Sequence, residues 1–395
     1  MPFAHTEMVN LDYAASTPLR LSAIDAQREY DNGPLAGVNP NSLHSLGRTA
    51  AQKLEGCRRS LAQTLGRSVR PSEVIFTGGG TEANAMALLG IAEGTRQSNK
   101  HRTRVLISAI EHDSMLDNIP LLHAAGFTTN LIFPNSYGVI EAKTLASMMD
   151  DSVALVSVML ANNETGAVQP IADLAACAHE HGAYFHTDAI QGFLHVPFDI
   201  DSLGIDALSL AGHKIGGPVG VGALYLKTRT PFRPRIFGGG QEAGRRPGTQ
   251  DLRQIIALTA AALEMYPNVA HDFTRLTELS NALYDRLVKH PLIHATIGEY
   301  RKVDHLPGIV SITVDNFDSE DLILQLDARG FEVSAGSACT SGNQDASHVL
   351  LAMGIPRNRA LGSLRISFDD RIDPVSLDRF RSCLFEIIGE PHAGC

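Results

Sequence analysis

Tryptophan is absent from the 395-residue chain, and aromatic residues make up only 6% of it. Cysteine is also scarce, and the five cysteines, at positions 57, 177, 339, 383 and 395, include no CxxC pair. An odd number of cysteines without paired spacing is typical of neither a disulfide framework nor a zinc site. We therefore predict no metal site and a reducing, cytoplasmic location.

Long apolar runs and an excess of positive charge are lacking as well. No apolar run approaches the length of a membrane span, and the first ten residues contain no apolar segment typical of a signal peptide. Lysine and arginine number 33 against 43 acidic residues, so the net charge is -10. The sequence thus predicts neither membrane insertion nor direct nucleic-acid binding, which requires a basic surface.

The middle of the chain alternates short apolar segments with helical patterns. The predicted strands are 73–76, 104–109, 128–133, 154–159, 184–187, 207–210 and 222–226. Segments that are apolar on both faces are typical of buried, mostly parallel strands. Between two of them, 170–181 has a helical pattern, with Pro170 suited to the first turn and Gly182 to the position after the end. The alternation predicts an α/β fold with a seven-stranded, mostly parallel sheet.

The pattern changes after about residue 260. A long amphipathic helix over 273–287, a strand over 309–314, a helix over 319–330 and a strand over 364–368 predict a smaller α+β domain. The predicted large domain is 15–260. The small domain combines 1–14 with 261–395 and carries a loop over 334–347.

Polar clusters follow five of the predicted strands, at 77–82, 111–112, 162–164, 188–191 and 213–214. Ligands of open α/β sheets bind at the carboxyl ends of the strands, so we expect these clusters to form one site. In 77–82, three glycines let backbone amides approach an anion and Thr81 can cap the following helix. The same segment can be an ordinary glycine-rich turn, because its spacing matches no phosphate-binding motif.

Several single residues have a chemical and a plain structural interpretation. Asp188 can pair with a pyridinium nitrogen or cap a helix. Lys214, in apolar surroundings, can be a nucleophilic lysine that forms a Schiff base, or a surface residue. His112 can stack on a flat ring and move protons, or be a buried histidine with satisfied hydrogen bonds. Arg365 can hold a carboxylate in bidentate fashion or form a surface ion pair.

Cys339 lies in a segment, 334–342, in which all nine residues are small. Such a segment buries little apolar area, so we expect a mobile, exposed loop with a reactive thiol. The other four cysteines fall in helical patterns or at the chain end, and are interpreted as structural.

These motifs together resemble the cysteine desulfurases of the NifS/IscS type, in the class V aminotransferase family of fold-type I pyridoxal-phosphate (PLP) enzymes. The matching segments are 11–18, 39–42, 77–82, 111–112, 162–166, 187–191, 212–214, 238–242, 246–249, 336–341 and 364–367. The most specific is Gly-Ser-Ala-Cys-Thr-Ser at 336–341, which is similar to the long-loop group that prefers cysteine. Alanine at position 211, where the family commonly has serine, removes one hydroxyl near the predicted phosphate site.

The resemblance implies a role for each matching residue. Lys214 would bind PLP covalently and Asp188 would pair with its ring nitrogen, while Arg365 would hold the substrate carboxylate. Cys339 would take sulfur from L-cysteine as a persulfide and leave L-alanine. The other implied cofactor or substrate contacts are Gly80, Thr81, His112 (stacked on the ring), Asn163, Gln191, His213 and, from the second subunit of a homodimer, Thr249.

The resemblance also implies a sulfur acceptor, either an iron–sulfur cluster scaffold or a tRNA-thiolating enzyme. Two other functions stay open. One is a different PLP reaction, as in an aminotransferase or a selenocysteine lyase, and Cys339 argues against the aminotransferase. The other is a scaffold subunit of a sulfur-trafficking complex that needs a partner for activity, and the set of Lys214, Asp188 and His112 argues against it.

Overall fold

The computed structural model describes residues 8–336 and 346–389. Cys339, Cys395 and most of the predicted loop lie outside the described residues. The strands are β1 Val9–Asn10, β2 Val74–Thr77, β3 Arg104–Ser108, β4 Thr128–Ile132, β5 Val153–Ser157, β6 Tyr184–Asp188, β7 Ala207–Ala211, β8 Gly222–Leu226, β9 Ile293–Ala295, β10 Ile309–Val314, β11 Phe331–Glu332 and β12 Ser363–Ser367.

The helices of the described residues connect and cover these strands. They are α1 Leu21–Asp31, α2 Ser45–Leu65, α3 Gly80–Ser98, α4 Asp113–Leu116, α5 Ile119–Ala124, α6 Ala142–Ala146, α7 Ile171–Glu180, α8 Ile200–Leu203, α9 Leu252–Met265, α10 Val269–Leu287, α11 Ser319–Asp327, α12 His348–Ala352, α13 Arg357–Ala360 and α14 Pro374–Ile388. None of these helices has the length and apolarity needed to cross a membrane.

The seven predicted strands form one sheet in the order β2-β8-β7-β6-β5-β3-β4, and each lies within two residues of its predicted bounds. Only β8 runs antiparallel to its neighbours β2 and β7. The other six strands point the same way, so their carboxyl ends meet at one edge of the sheet. Strands β5 and β7 are buried throughout, and β3 and β6 are buried after their first residue, as the sequence predicts for a covered sheet. The buried residues of β6 include the polar His186, Thr187 and Asp188.

Helix α7 confirms the helix predicted over 170–181, with one difference at its start. Pro170 lies at the N-cap rather than inside the first turn. Gly182 follows the helix with a φ of 68°, in the left-handed region that glycine adopts without steric cost. The helix packs against β6, whose last residue is Asp188.

The later part of the chain forms a second, smaller sheet. Strand β10 is central and pairs antiparallel with β12 and β9, and a separate parallel pair joins β1 to β11. Helices α10, α11 and α14 pack on these strands around a cluster of buried apolar residues that also contains Leu11. The main cluster of the large sheet runs from Ala23 to Met265. The domain limits of 15–260, and of 1–14 with 261–395, stay a prediction.

Candidate active site

A cavity of about 400 Å³ opens at the sheet edge where the parallel strands end. Polar residues that follow β2, β3, β5, β6 and β7 line it, together with residues from the N-terminal segment and β12. The predicted site residues in its wall are Gly80, Thr81, His112, Asn163, Asp188, Gln191, His213, Lys214 and Arg365. Thr249 is exposed and does not line the cavity.

Lys214 closes a 3₁₀ turn, Gly212–Lys214, that directly follows β7. Its Nζ atom donates hydrogen bonds to the carbonyl oxygens of Ala14 (2.5 Å) and Ala15 (2.9 Å). Its own carbonyl oxygen accepts bonds from Thr17 Oγ1 and His195 Nε2. The backbone of the lysine is therefore fixed on both sides while the amine lies in the cavity, where it can reach an electrophilic carbon.

Asp188 ends β6 with its carboxylate at the inner wall of the cavity, and it is 3% exposed. Oδ1 accepts from the backbone N–H of Ile190 at 2.8 Å, and Oδ2 accepts from Asn84 Nδ2 at 2.6 Å. Burial raises the pKa of Asp188, and these two hydrogen bonds oppose that effect. A carboxylate placed this way can hold a proton on the nitrogen of a bound heterocycle.

Helix α3 points its N-terminus at the cavity, and there the sequence prediction for Thr81 is wrong. The N-cap is Gly79, with a φ of 147°, and no side chain caps the helix, so the Thr81 hydroxyl is available to the cavity. A Cβ added at Gly80 would lie 2.2 Å from Ile190 Cδ1, so any larger residue here would have to displace the Ile190 side chain. The unpaired amides of the first turn can bind a phosphate.

His213 and His112 also line the cavity. Burial, and then the nearby Lys214 charge, lower the pKa of His213 to about 4, so its imidazole is neutral at physiological pH. His112 is the N-cap of α4, and its Nδ1 accepts from the backbone N–H of Ser114 at 3.0 Å. That bond fixes the orientation of the ring, which can lie flat against a planar ligand.

Arg365, in β12, is 2% exposed. Its guanidinium donates to the Asn163 carbonyl oxygen at 2.9 Å, to Asp12 Oδ1 at 2.9 Å and to Ser334 Oγ at 3.1 Å. Nε has no hydrogen-bond partner among the described residues. A fixed, charged guanidinium at the cavity wall can bind a carboxylate.

Two buried glutamates in the wall were given no role by the sequence analysis. Glu111 accepts from the Met159 backbone N–H at 2.6 Å through Oε1, and Oε2 has no partner within residues 8–336 and 346–389. Burial, and then the nearby Asp188 charge, hold the pKa of Glu111 well above its usual range. Glu164 accepts from the Ser347 hydroxyl, and burial raises its pKa. Both glutamates lie in the polar clusters that follow apolar strands, and that position in the sequence is what indicates a place in the site.

The residues of this cavity fit pyridoxal phosphate. Lys214 suits the aldehyde carbon and Asp188 suits the pyridine nitrogen. The α3 N-terminus suits the phosphate, with the Thr81 hydroxyl and the neutral His213 ring beside it. The sheet, with its cavity at the carboxyl strand ends, has the fold-type I architecture of PLP-dependent transferases.

Comparison with known proteins agrees with that class. The family model "Aminotransferase class-V" matches residues 9–379, and the chain belongs to this family. The cysteine desulfurase IscS of Methanosarcina thermophila is 35% identical over 380 residues, which cover 96% of this chain and 92% of the relative. A solved structure described as a NifS-like protein superposes with a TM-score of 0.87 at 30% identity, covering 96% of this chain and 99% of that one. The structure of SspA in complex with cysteine has a TM-score of 0.78 at 30% identity, covering 91% of this chain and 98% of the other.

Proposed function

We propose that the protein is a PLP-dependent cysteine desulfurase that converts L-cysteine to L-alanine and transfers the sulfur to Cys339. The observation that carries the proposal is the position of Lys214, Asp188 and Arg365 around one cavity in a chain 35% identical to a cysteine desulfurase IscS. The structure of SspA with cysteine, which has the same fold, supports cysteine as the substrate class.

Each predicted site residue in the wall has a task in this proposal. Lys214 would hold PLP covalently, and its amine would take the proton from the substrate Cα. Asp188 would keep the ring nitrogen protonated. His112 and Gln191, whose Nε2 donates to the Ala14 carbonyl oxygen at 2.8 Å, would hold the ring. When bound, PLP withdraws electrons from Cα, which weakens the bond between Cβ and sulfur.

Substrate recognition is assigned to Arg365 and Asn163. The fixed guanidinium binds the L-cysteine carboxylate, and the Asn163 carbonyl oxygen holds one of its nitrogens in place. Gly80, Thr81 and His213 would bind the phosphate of PLP.

Cys339 lies outside the described residues, and its role follows from the sequence. The Cys339 thiolate attacks the substrate sulfur, so an S–S bond forms as the Cβ–S bond breaks. The electron pair of that bond is protonated at Cβ, and alanine leaves. The balance is L-cysteine plus one thiol giving L-alanine plus one persulfide, with no further oxidant or reductant.

We also propose a homodimer, in which Thr249 of a second copy completes the phosphate site. An exposed Thr249 outside its own cavity supports this arrangement.

A reducing, cytoplasmic location suits a catalytic thiolate. The persulfide passes to an iron–sulfur scaffold or a tRNA-thiolating enzyme. We further propose the domain limits of 15–260, and of 1–14 with 261–395, and residues of both parts line the cavity.

The test is alanine formation from L-cysteine by the purified protein and by Lys214→Ala. The native protein should form alanine and show the visible absorption of bound PLP. Lys214→Ala should lose at least about 1,000-fold in rate, because the covalent attachment and the Cα base are both removed. Alanine formation at the native rate by the variant would overturn the proposal. A matched control is Lys227→Ala, which changes an exposed lysine after β8.

A further inference from the structure

Asn84 is a fully buried amide on α3, behind the wall of the cavity. Its Nδ2 atom donates to Asp188 Oδ2 at 2.6 Å and to Ser114 Oγ at 2.8 Å. Both amide protons are therefore used. The opposite amide orientation would place Oδ1 against the Asp188 carboxylate, and the repulsion of two acceptors excludes it.

Ser114 determines the direction of the next hydrogen bond in the chain, the one to His112. Its backbone N–H can only donate, and it lies 3.0 Å from His112 Nδ1. Nδ1 is therefore an acceptor, which places the ring N–H on Nε2. The Ser114 hydroxyl lies 3.0 Å from the same Nδ1, and it accepts from Asn84. Its own proton then points to His112, which completes a chain from Asp188 through Asn84 and Ser114.

Packing alone does not account for Asn84. Its Oδ1 is buried and has no hydrogen-bond partner within the described residues. An unsatisfied buried acceptor costs about 1–3 kcal/mol, which an apolar side chain of the same size would avoid. The contribution of Asn84 lies in the two bonds that it donates.

We propose that Asn84 is a positioning residue that couples Asp188 to His112 through Ser114, so that the charge on one and the tautomer of the other are set together. The inference rests on the proposed function, because this chain of hydrogen bonds matters only if Asp188 and His112 hold PLP. An ionised Asp188 strengthens donation by Asn84, and the polarised amide makes Ser114 a better donor to His112. Asp188, which is assigned to the PLP ring nitrogen, and His112, which is assigned to the face of the ring, are thereby linked.

The expected effect has a definite sign. Removing the Asn84 donor takes a hydrogen bond from the charged form of Asp188, so its carboxyl protonates more readily and holds the ring proton less well. A ring that is less protonated withdraws fewer electrons, so the nitrogen that joins Lys214 to PLP becomes more basic. The visible PLP absorption follows the protonation of that nitrogen, and its pH midpoint should therefore rise. The other titratable groups near this chain of hydrogen bonds are Glu111, Lys214 and His213. All three stay unchanged in the variants.

The experiment compares Ser114→Ala, Asn84→Leu and the double variant, each loaded with PLP. Asn84→Leu should raise the midpoint, and Ser114→Ala should raise it less, because it weakens the same chain at its far end. The double variant should equal Asn84→Leu alone, since both substitutions break one chain. Ser114→Ala removes only a hydroxyl, so it remains informative if Asn84→Leu does not fold.

Thr95→Val is the matched control. Thr95 is buried on the same helix, its Oγ1 has no hydrogen-bond partner among the described residues, and it lies about 16 Å along the axis from Asn84. It should leave the midpoint unchanged. A native midpoint in Ser114→Ala, additive shifts in the double variant, or an equal shift in Thr95→Val would each overturn the coupling. A native protein that binds no PLP would instead reject the proposed function.

Discussion

Lys214 donates from Nζ to the carbonyl oxygen of Ala14, 200 positions earlier in the chain, at 2.5 Å. Gln191 Nε2 donates to the same oxygen at 2.8 Å. The segment that carries Ala14 continues from β1, and β1 is itself held by pairing with β11, Phe331–Glu332. The cavity therefore depends on contacts between the large sheet and the N-terminal segment.

Arg365→Lys should weaken L-cysteine binding roughly 10- to 100-fold, since a lysine cannot replace a fixed guanidinium bonded to a carboxylate, an interaction of about 1.5–3 kcal/mol. The measurement is the L-cysteine concentration that half-saturates the spectral change of the PLP-loaded protein. L-cysteine methyl ester, which lacks the carboxylate, should bind the native and variant proteins alike. Unchanged L-cysteine binding in the variant would contradict the role of Arg365.

Glu111→Gln should change the pH dependence of stability. Burial holds the pKa of Glu111 above its ordinary value of 4.5. The stabilisation from the protonated form is thus complete below pH 4.5 and is lost as the pH rises through the folded-state pKa. Glutamine cannot ionise, so the free energy of unfolding should fall less between pH 5 and 8 in the variant. Urea unfolding measures this difference, and parallel native and variant profiles would reject a protonated Glu111.

His186→Gln should change the same profile with the opposite sign. His186 bridges Ser157 and Ser209 beneath the cavity, and burial lowers its pKa from 6.5 to about 3. Its stabilisation is complete above pH 6.5 and is lost as the pH falls toward 3, by about 1.4 kcal/mol per pH unit. The variant should lose about 2 kcal/mol less than the native protein between pH 6.5 and 5. The exposed His123→Gln is the control, and an unchanged acid slope in His186→Gln would be the adverse result.

Arg58→Met should destabilise the protein by about 3–5 kcal/mol, because it leaves the Glu242 carboxylate buried without its cation. Arg58 donates twice to Glu242, whose oxygens also accept from the Phe76 backbone N–H and from Gln250 Nε2. Adding Glu242→Leu should restore part of the loss. The exposed pair of Arg301 and Asp285 provides the control, since Arg301→Met should cost less than about 1 kcal/mol. Equal losses in the two single variants would contradict this account.

The sequence predicts the sheet well because its strands are buried on both faces, which leaves a continuous apolar signal in segments such as β5 and β7. Eight of the nine predicted site residues in the cavity wall lie at or after the ends of strands that point the same way, and such strand ends converge. The ninth, Arg365, lies in β12 of the smaller antiparallel sheet and was predicted from the family resemblance. The sequence does not predict the hydrogen-bond partners of the site residues. The bonds of Asn84 to Asp188 and of Ala14 to Lys214 join positions 104 and 200 residues apart, and no local pattern records them. The cap assigned to Thr81 is wrong because Gly79 adopts a backbone conformation that starts the helix two residues earlier.

The most direct test of the account is sulfide released from L-cysteine under a reducing thiol, with the native protein beside Cys339→Ala. The variant should keep the PLP absorption and its change on adding L-cysteine, because Lys214 and Arg365 remain, and it should release no sulfide. Cys57→Ala, which removes a buried thiol on α2, is the control and should release sulfide like the native protein. Sulfide at the native rate from Cys339→Ala would contradict transfer through that thiol.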